Sequence, residues 1–326
     1  MTTIPIVTGL ASTVLIKGSV VLLVALVLAR RLRRTSARAS LVIAIGFATL
    51  VLLPVLSVLT PDWGLGDLTI SHDAATNLPG LPFSPLALLL SIWALGASVM
   101  LGRLILDVRA AHALSSRATV VLDSRMTDCL RCAARSIGSP IPVVRMSGEL
   151  HTVALVGFRR PVLLVPGGAS DWSEEELVGV FCHELEHLRR GDWLWSLVER
   201  AIAAVYWINP LTHVALRWSR AAREHAADDA AMRGGVGAHS YANRLIMVAR
   251  ASRRSPQLAG SVAFAGGRVD GRVRALFEME RDRRGVSAMA AARMIVLAMP
   301  LVLALSALQP WTCVPAGEQP TTTRCP

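Results

Sequence analysis

The sequence predicts a mainly α membrane protein in which four transmembrane helices carry one globular domain between the third and the fourth helix. Hydrophobic residues make up 53% of the 326 residues, charged residues only 17%, and the mean hydropathy is +0.48. Four apolar runs reach the roughly 17 to 25 residues that a helix needs to cross a bilayer. About 180 residues separate the third run from the fourth, which is enough for one domain. This composition excludes a disordered or low-complexity chain, because so much apolar surface must be buried in protein or lipid.

The predicted spans divide the chain into a membrane part and a domain. Residues 1–106 hold three spans at 7–29, 40–60 and 86–106, residues 107–288 form the domain, residues 289–309 the fourth span, and residues 310–326 a short tail. Lys17 falls inside the first span, where we expect a structural pairing, or a span placed a few residues later, rather than a role in transport. No positive charge precedes the first run, so we expect no cleavable signal peptide.

The charge pattern predicts the orientation of these spans. A short basic cluster follows the first span and consists of Arg30, Arg31, Arg33, Arg34 and Arg38. Residues 61–86 contain Asp62, Asp67 and Asp73 but no Lys or Arg. Because cytoplasmic loops are enriched in basic residues, we expect the N terminus and the tail outside and the domain in the cytoplasm. The net charge of +11 follows this topology, so we expect no direct binding of nucleic acid.

The cysteines fit the same topology. Cys313 and Cys325 fall in the outer tail, where they could be oxidised, whereas the cysteines of the domain should stay reduced. Cys129 and Cys132 form a C-x-x-C, but no second pair completes a metal site. We therefore expect a buried helix face there, with redox or metal chemistry as the less favoured alternative.

Two short β-rich runs precede a strongly marked helix in the predicted domain. Val153–Val156 and Pro161–Val165 are typical of a hairpin, and the first of these strands is a candidate for binding an extended substrate by edge pairing. Ser173 followed by Glu176 forms a capping box that predicts the start of a helix. Apolar residues then recur at helical spacing until Gly191, which predicts its end.

This helix carries an H-E-x-x-H motif. The i,i+4 spacing puts the His183 and His187 imidazoles on one face, where they can occupy two corners of a tetrahedral Zn²⁺ site. The adjacent Glu184 can then reach a water molecule at an open corner and act as the catalytic base. The alternative is a pair of surface histidines on a charged helix, so a third ligand is the needed support.

A second motif, which is acidic, offers a candidate for the third metal ligand. Glu224 and Asp228 stand four residues apart on one predicted helix face. Glu224 would complete a His₂Glu site, and Asp228 would accept the outer ring N–H of a ligating histidine. His225 would point away from the metal, and Asp229 would face solvent or cap a neighbour. This combination of motifs resembles that of the zincin-like (gluzincin) proteases, which implies an α+β metalloprotease domain that holds zinc.

These motifs resemble the zinc-peptidase domain of the BlaR/MecR-type membrane antirepressors. The similarity runs from Pro142 to Arg250 through G-F-R-R-P-V-L-L-V-P, H-E-L-E-H-L-R-R-G-D, W-I-N-P-L and R-E-H-A-A-D-D-A, with Gly271–Arg274 as a later matching piece. The resemblance implies a multi-pass protein of the bacterial inner membrane with His183, His187 and Glu224 as zinc ligands and Glu184 as base. It also implies a role in signal transduction. In that role the protease cleaves either a cytoplasmic repressor of the winged-helix type or its own chain.

The resemblance has one main departure. Members that sense β-lactams carry a penicillin-binding domain after the last span, whereas about 17 residues follow Gln309 here, so we expect no β-lactam sensing by this chain.

Two alternative functions stay open for the chain. One is a membrane quality-control protease, and the other is a non-catalytic receptor with a vestigial zinc site. We also expect that the chain can form a homodimer. His239, Tyr241 and Arg244 are the candidate oxyanion donors, with ordinary surface or capping roles as their alternative. Trp193–Trp218, apolar but interrupted by charges, should lie against the bilayer or in the domain core.

Overall fold

The computed structural model describes residues 13–59, 85–121, 123–157, 159–254 and 269–307. The α-helices in these ranges are α1 (Gly18–Arg31), α2 (Ser36–Leu59), α3 (Pro85–Arg117), α4 (Ser124–Ile137), α5 (Glu174–Arg190), α6 (Asp192–Val205), α7 (Pro210–Arg233), α8 (Ala238–Arg254), α9 (Val269–Leu276) and α10 (Ala288–Ala307). The strands are β1 (Thr119–Val120), β2 (Val143–Ser147), β3 (Ala154–Val156) and β4 (Val162–Pro166). The predicted mainly helical fold is confirmed. A small sheet lies between α3 and α10 in the chain.

Three helices are long and apolar enough to cross a membrane. The qualifying segments are Ser36–Leu56, Ala87–Arg117 and Ala288–Ala307, which correspond to the predicted second, third and fourth spans. The predicted first span at 7–29 is described only from Thr13, as a π-helical turn (Thr13–Lys17) followed by α1. Its residues 7–12 lie outside the described part. The chain is therefore a membrane protein by the length and composition of its helices, and the count of four spans stays a prediction.

Two of these helices present apolar side chains on their surface. Leu89 and Leu95 of α3 are 66% and 67% exposed, and Leu297 of α10 is 78% exposed. Such contiguous apolar surface is unfavourable in water and favourable in hydrocarbon. The first described turn is tied to the last helix, because Lys17 Nζ donates to the Ser306 carbonyl oxygen over 3.4 Å. This contact is of the structural kind expected for Lys17.

The helix of the predicted third span continues beyond residue 106. Helix α3 continues without a break from Pro85 to Arg117, so the predicted boundary between residues 106 and 107 falls inside one helix. Residues 107–117 contain neither Gly nor Pro, and nothing in them opposes helix propagation. Asp107 forms an ion pair with Arg200 of α6, which fixes this extension against the domain.

The four strands form one mixed sheet in the order β1-β2-β4-β3. The predicted hairpin is confirmed, since β3 pairs antiparallel with β4 and Leu155 lies opposite Leu163. Strand β2 pairs parallel with β4, and β1 antiparallel with β2; neither β1 nor β2 was predicted. Strand β3 is an edge strand of this sheet. It therefore has one side without a neighbouring strand among the described residues.

The predicted domain is packed directly onto the membrane helices. Leu22 of α1 and Phe47 of α2 share one buried cluster with Ile202 and Tyr206 of α6. The Tyr206 hydroxyl donates to the Leu50 carbonyl oxygen over 2.6 Å. Because α6 and α7 contact α1, α2 and α3, the segment from Trp193 to Trp218 joins the helical layers.

Helix α3 contacts the same segment through tryptophans. The Trp93 indole N–H donates to the Val205 carbonyl oxygen over 2.9 Å, and the Trp207 indole N–H donates to the Trp93 carbonyl oxygen over 3.1 Å. Trp207 lies on Gly96, where an added Cβ would stand 2.4 Å from the ring. Gly96 is thus required for the close approach of this ring to α3.

A second core lies between the sheet and helices α4 and α5. Phe181, Leu163 and Leu130 are fully buried there. Cys129 belongs to this core, as predicted, but Cys132 is exposed, so the prediction of a buried face holds for only one cysteine of the pair. Three residues further along a helix, a side chain is rotated by about 60° from the first, which suffices to bring Cys132 to the surface.

Several predicted features lie outside the described residues. They are the first residues of the N-terminal span, most of the acidic loop at 61–86 and the tail with Cys313 and Cys325. The orientation of the chain and the state of these two cysteines remain predictions.

Candidate metal centre

The central helix of the site has the ends that its sequence predicts. The Ser173 hydroxyl accepts the Glu176 backbone N–H at 3.2 Å, and the Glu176 carboxylate accepts the Ser173 backbone N–H at 2.9 Å. This capping box satisfies two backbone donors that a helix start otherwise leaves unpaired. At the other end Gly191 has φ +66°, a conformation that glycine adopts without steric cost. Helix α5 thus presents His183 and His187 on a fixed face.

The structure brings His183, His187 and Glu224 together. The two Nε2 atoms lie 3.2 Å apart. Glu224 Oε2 lies 3.7 Å from His183 Nε2, and Glu224 Oε1 lies 4.0 Å from His187 Nε2. Ligand atoms at 2.0 to 2.1 Å from a tetrahedral zinc ion stand roughly 3.3 Å apart. The three donor atoms are therefore spaced as a small metal ion requires.

An unpaired buried oxygen of Glu224 is a second observation that fits a metal ion at this site. Glu224 is 2% exposed, and its Oε1 atom is buried without a hydrogen-bond partner among the described residues. Leaving a charged oxygen unsatisfied in the interior costs about 1 to 3 kcal/mol or more, and this oxygen points toward the histidine pair. Two imidazoles and one carboxylate are typical zinc ligands. A divalent cation between the three side chains would satisfy this oxygen.

The outer nitrogen of His183 contacts two polar groups. His183 Nδ1 lies 3.1 Å from Asp228 Oδ1 and 3.0 Å from the Tyr241 hydroxyl oxygen. The same hydroxyl donates to Asp228 Oδ1 over 2.9 Å, so the imidazole proton sits on Nδ1. The lone pair on Nε2 is then free to face Glu224. Asp228 occupies the place that the sequence predicts for it.

His187 is oriented by a residue that the sequence analysis missed. His187 Nδ1 donates to Asp192 Oδ2 over 2.8 Å. Burial disfavours the imidazolium, but the hydrogen bond to Asp192 and its charge outweigh burial and raise the pKa of His187 to about 8. Burial also opposes the Asp192 carboxylate, yet the bonds and charges of His187 and Arg190 lower its pKa. The left-handed turn at Gly191 brings Asp192 back under the helix end.

Arg272 is a second residue that the sequence analysis left without a role. Its Nε and Nη2 atoms donate to the two oxygens of Asp228 over 2.8 and 2.6 Å. Its Nη1 atom lies 2.9 Å from Glu224 Oε2. Although burial disfavours both charges, Arg272 lowers the pKa of Asp228 well below its usual range, and the two carboxylates raise that of Arg272. One guanidinium from α9 thus fixes both Glu224 and Asp228 of α7.

Comparison with known proteins agrees with this geometry. The profile of a family described as BlaR1 peptidase M56 matches residues 71–276, which is more than half of the chain. The chain belongs to this M56 family. The Regulatory protein BlaR1 of Bacillus licheniformis is 24% identical over 144 residues, or 44% of this chain and 24% of that protein. The match thus spans about a quarter of the length of this curated relative, and the predicted family resemblance is confirmed.

The M56 match contains the whole candidate centre. His183, His187, Glu224 and Arg272 all fall between residues 71 and 276, and the match ends at Leu276, the last residue of α9. Helices α1, α2 and α10 lie outside it. The site residues therefore come from the part of the chain that the M56 family shares.

Glu184, the predicted base of this M56 chain, lies beside the metal-binding face. It is half-buried. Burial raises the pKa of its carboxyl above the usual value, although the charges of His183 and His187 act in the opposite direction. A carboxyl with a raised pKa binds a proton more readily. That property suits a group that takes up and releases a proton.

The three candidate oxyanion donors do not lie together. Arg244 stacks on the Trp172 ring at 3.3 Å and lies 3.8 Å from Glu176 Oε1, near the start of α5 rather than at its histidines. The His239 ring packs edge-on against Phe277 with 5.0 Å between centroids. Only Tyr241 contacts the centre, and its hydroxyl lies on the Nδ1 side of His183, away from the three donor atoms. This geometry favours an orienting role for Tyr241.

Asp229 differs from its prediction. It is 5% exposed, and its carboxylate accepts Arg281 Nε at 2.8 Å and the Ser36 hydroxyl at 3.1 Å. Asp229 therefore faces the interior and joins α7 to the start of α2. His225 is half-buried and is not among the three grouped donor residues, and its Nδ1 atom is buried without a hydrogen-bond partner among the described residues.

Proposed function

We propose that this M56 protein is an integral-membrane zinc endopeptidase and that it acts as a signal-transducing antirepressor protease. The observation that carries the first part is the convergence of His183, His187 and Glu224, with the buried Glu224 Oε1 left unpaired toward the two imidazoles. Family membership supports peptide-bond hydrolysis as the reaction. The membrane helices support a site held near the inner leaflet.

Each residue of the centre has a separable task in this proposal. His183, His187 and Glu224 would hold the ion, and Asp228, Tyr241, Asp192 and Arg272 orient these three. Zinc supplies Lewis acidity toward the scissile carbonyl and toward a water molecule. Glu184 takes the proton from the attacking water and passes it to the leaving amine. The half-buried position of Glu184 limits competition from bulk water for that proton.

The edge strand β3 offers a place for an extended substrate. It comes immediately before β4 and the centre in the chain, and its outer side has no strand neighbour among the described residues. A peptide that adds a strand there would be held by main-chain hydrogen bonds, which are independent of its sequence. We propose that the substrate is a protein segment bound in this way. Leu155→Pro should then abolish cleavage, and because Leu155 belongs to the domain core, a zinc measurement on the variant is needed to show that the fold of the centre is kept.

The decisive experiment for the peptidase measures zinc and cleavage in the full chain purified in detergent. We expect about one zinc ion per chain by elemental analysis. His183→Ala should lose both the metal and cleavage, whereas Glu184→Gln should keep the metal and lose cleavage. Arg135→Gln, on an exposed face of α4, is the control that should change neither. A wild-type chain without zinc would contradict the proposal.

The signalling role needs its own test. We expect induced cells to accumulate a cleaved cytoplasmic repressor of winged-helix type, or a cleaved form of the chain itself, with wild-type protein but not with Glu184→Gln. The name of the relative, Regulatory protein BlaR1, supports a regulatory role. Cleavage of misfolded membrane proteins in general, with the repressor left intact, would favour quality control instead.

A further inference from the structure

A cavity of about 850 Å³ lies beside the candidate metal centre but is not part of it. Its walls come from α1, the α1–α2 turn, α2, α7, α9 and the segment that follows α9. None of the three candidate metal ligands lines it. Helix α7 separates the two sites, because His225 lines the cavity while Glu224 faces the histidines.

The cavity has a positive balance of charge, because five arginines line it against two glutamates, Glu278 and Glu280. Arg30, Arg33 and Arg274 line it, and none of the three forms an ion pair within the described ranges. Two further lining arginines are already paired, Arg34 with Glu280 and Arg281 with Asp229, each at 2.8 Å. Arg30, Arg33 and Arg274 are exposed, so water partly screens the repulsion between their charges, and a bound anion would reduce it further.

The other wall of the cavity is apolar and borders on the lipid-facing surface. Ala29, Ala39 and Ile43 contribute buried side chains, and Trp218, 39% exposed, lies at the margin. Next to this wall Val27 and Leu28 of α1 are 51% and 48% exposed. A small hydrated anion gains nothing from such a wall, whereas a ligand with both a phosphate and a hydrocarbon chain matches the arginines and the wall together.

We propose that this cavity binds the headgroup of an anionic phospholipid, with its phosphate between Arg30, Arg33 and Arg274 and an acyl chain along α1 and α2. The basic turn between α1 and α2 is the end of these helices that basic-residue enrichment assigns to the inner leaflet. The site does not depend on peptidase activity, since no ligand of the candidate centre takes part. Loss of zinc chemistry would therefore leave lipid binding intact.

The test uses the full chain in detergent and native mass spectrometry with added phosphatidylglycerol or phosphatidylcholine. We expect phosphatidylglycerol to bind preferentially, and the triple variant Arg30→Gln, Arg33→Gln, Arg274→Gln to bind it on the order of tenfold or more weakly. The matched control is Arg135→Gln, Arg159→Gln, Arg160→Gln, which removes the same charge from exposed positions outside the cavity. It should bind as the wild type does.

A second measurement does not depend on the folding of the triple variant. Brominated phosphatidylglycerol should quench the tryptophan fluorescence of the wild type more than that of Trp218→Phe, and brominated phosphatidylcholine should show no such difference. Equal binding by the triple and control variants would overturn the proposal. So would equal affinity for the two lipids, or displacement of phosphatidylglycerol by an equal concentration of inorganic phosphate, which would assign the cavity to the free anion.

Discussion

Arg272 Nη1 lies 2.9 Å from Glu224 Oε2, while the other oxygen of the same carboxylate has no hydrogen-bond partner within the described residues. The guanidinium therefore occupies one oxygen of Glu224 and leaves the other for a metal ion. Because Arg272 also binds both oxygens of Asp228, it couples the carboxylate of the candidate metal site to the one that orients His183.

Removing the guanidinium should weaken metal binding. In Arg272→Gln, Glu224 loses its anchor and can rotate away from the histidines. Zinc affinity should fall by about ten- to a hundredfold, measured by competition with a fluorescent chelator. Arg274→Gln changes an exposed arginine on the same helix and should leave zinc affinity unchanged. Equal affinities in the two variants would show that Arg272 does not position Glu224.

Removing the charge of Asp192 should also weaken zinc binding, because Asp192 orients His187. Asp192→Asn keeps the size of the side chain but removes the charge that orients and polarises His187. We expect zinc affinity to fall by about tenfold or more in the same chelator assay. Asp128→Asn, at an exposed position that pairs with Arg131, serves as the control. A variant with full zinc affinity would remove Asp192 from the centre.

Tyr241→Phe separates an orienting role from an oxyanion role. A hydroxyl that orients His183 predicts a lower zinc affinity and, once zinc is saturating, nearly normal turnover. An oxyanion donor predicts the reverse, with zinc affinity intact and kcat lowered by about a hundredfold or more. Zinc titration and kcat at saturating zinc distinguish the two, and we expect the first pattern.

The contact between Gly96 and Trp207 can be tested with two glycines of one helix. In Gly96→Ala the new Cβ would stand 2.4 Å from the Trp207 ring, whereas around Gly102 an added Cβ meets no atom within 4 Å. We expect Gly96→Ala to destabilise the fold by roughly 1 to 3 kcal/mol and Gly102→Ala to stabilise it by up to about 1 kcal/mol. Melting temperatures in detergent measure both, and a stabilised Gly96→Ala would refute the packing.

The cysteines of the domain should differ in reactivity. Cys132 is exposed, whereas Cys129 and Cys182 are buried, and burial raises the pKa of both buried thiols. Buried thiols with a raised pKa are poor nucleophiles. In a chain with Cys313→Ser and Cys325→Ser, a maleimide should label one site in the folded protein. Cys132→Ser should abolish that labelling, and persistent labelling would contradict the assigned burial.

The parts of the centre that could be predicted from the sequence depend on the spacing of residues that are close together in the chain. The i,i+4 spacings of His183 with His187 and of Glu224 with Asp228 fix which side chains share a helix face. The capping box at Ser173 and the glycine at Gly191 mark the ends of α5 in the sequence itself. These signals depend on neighbouring residues only, so one sequence suffices to read them.

The parts that the sequence did not predict depend on contacts between distant segments. Arg272 is 44 residues from Asp228, and no local pattern pairs them. The parallel pairing of β2 with β4 also joins separated strands. Asp192 is close to His187 in sequence, but its role depends on the backbone turn at Gly191. An aspartate directly after a helix-ending glycine, five residues beyond the second histidine, is the signal that could have indicated it.

The buried contact of Leu22 and Phe47 with Ile202 and Tyr206 has a practical consequence for biochemistry. A fragment cut at the predicted domain boundaries would bare the apolar faces of α6 and α7 and take away the Leu50 carbonyl that the Tyr206 hydroxyl binds. We therefore expect the domain to be insoluble when it is expressed without α1 and α2, since these two helices cover its apolar faces.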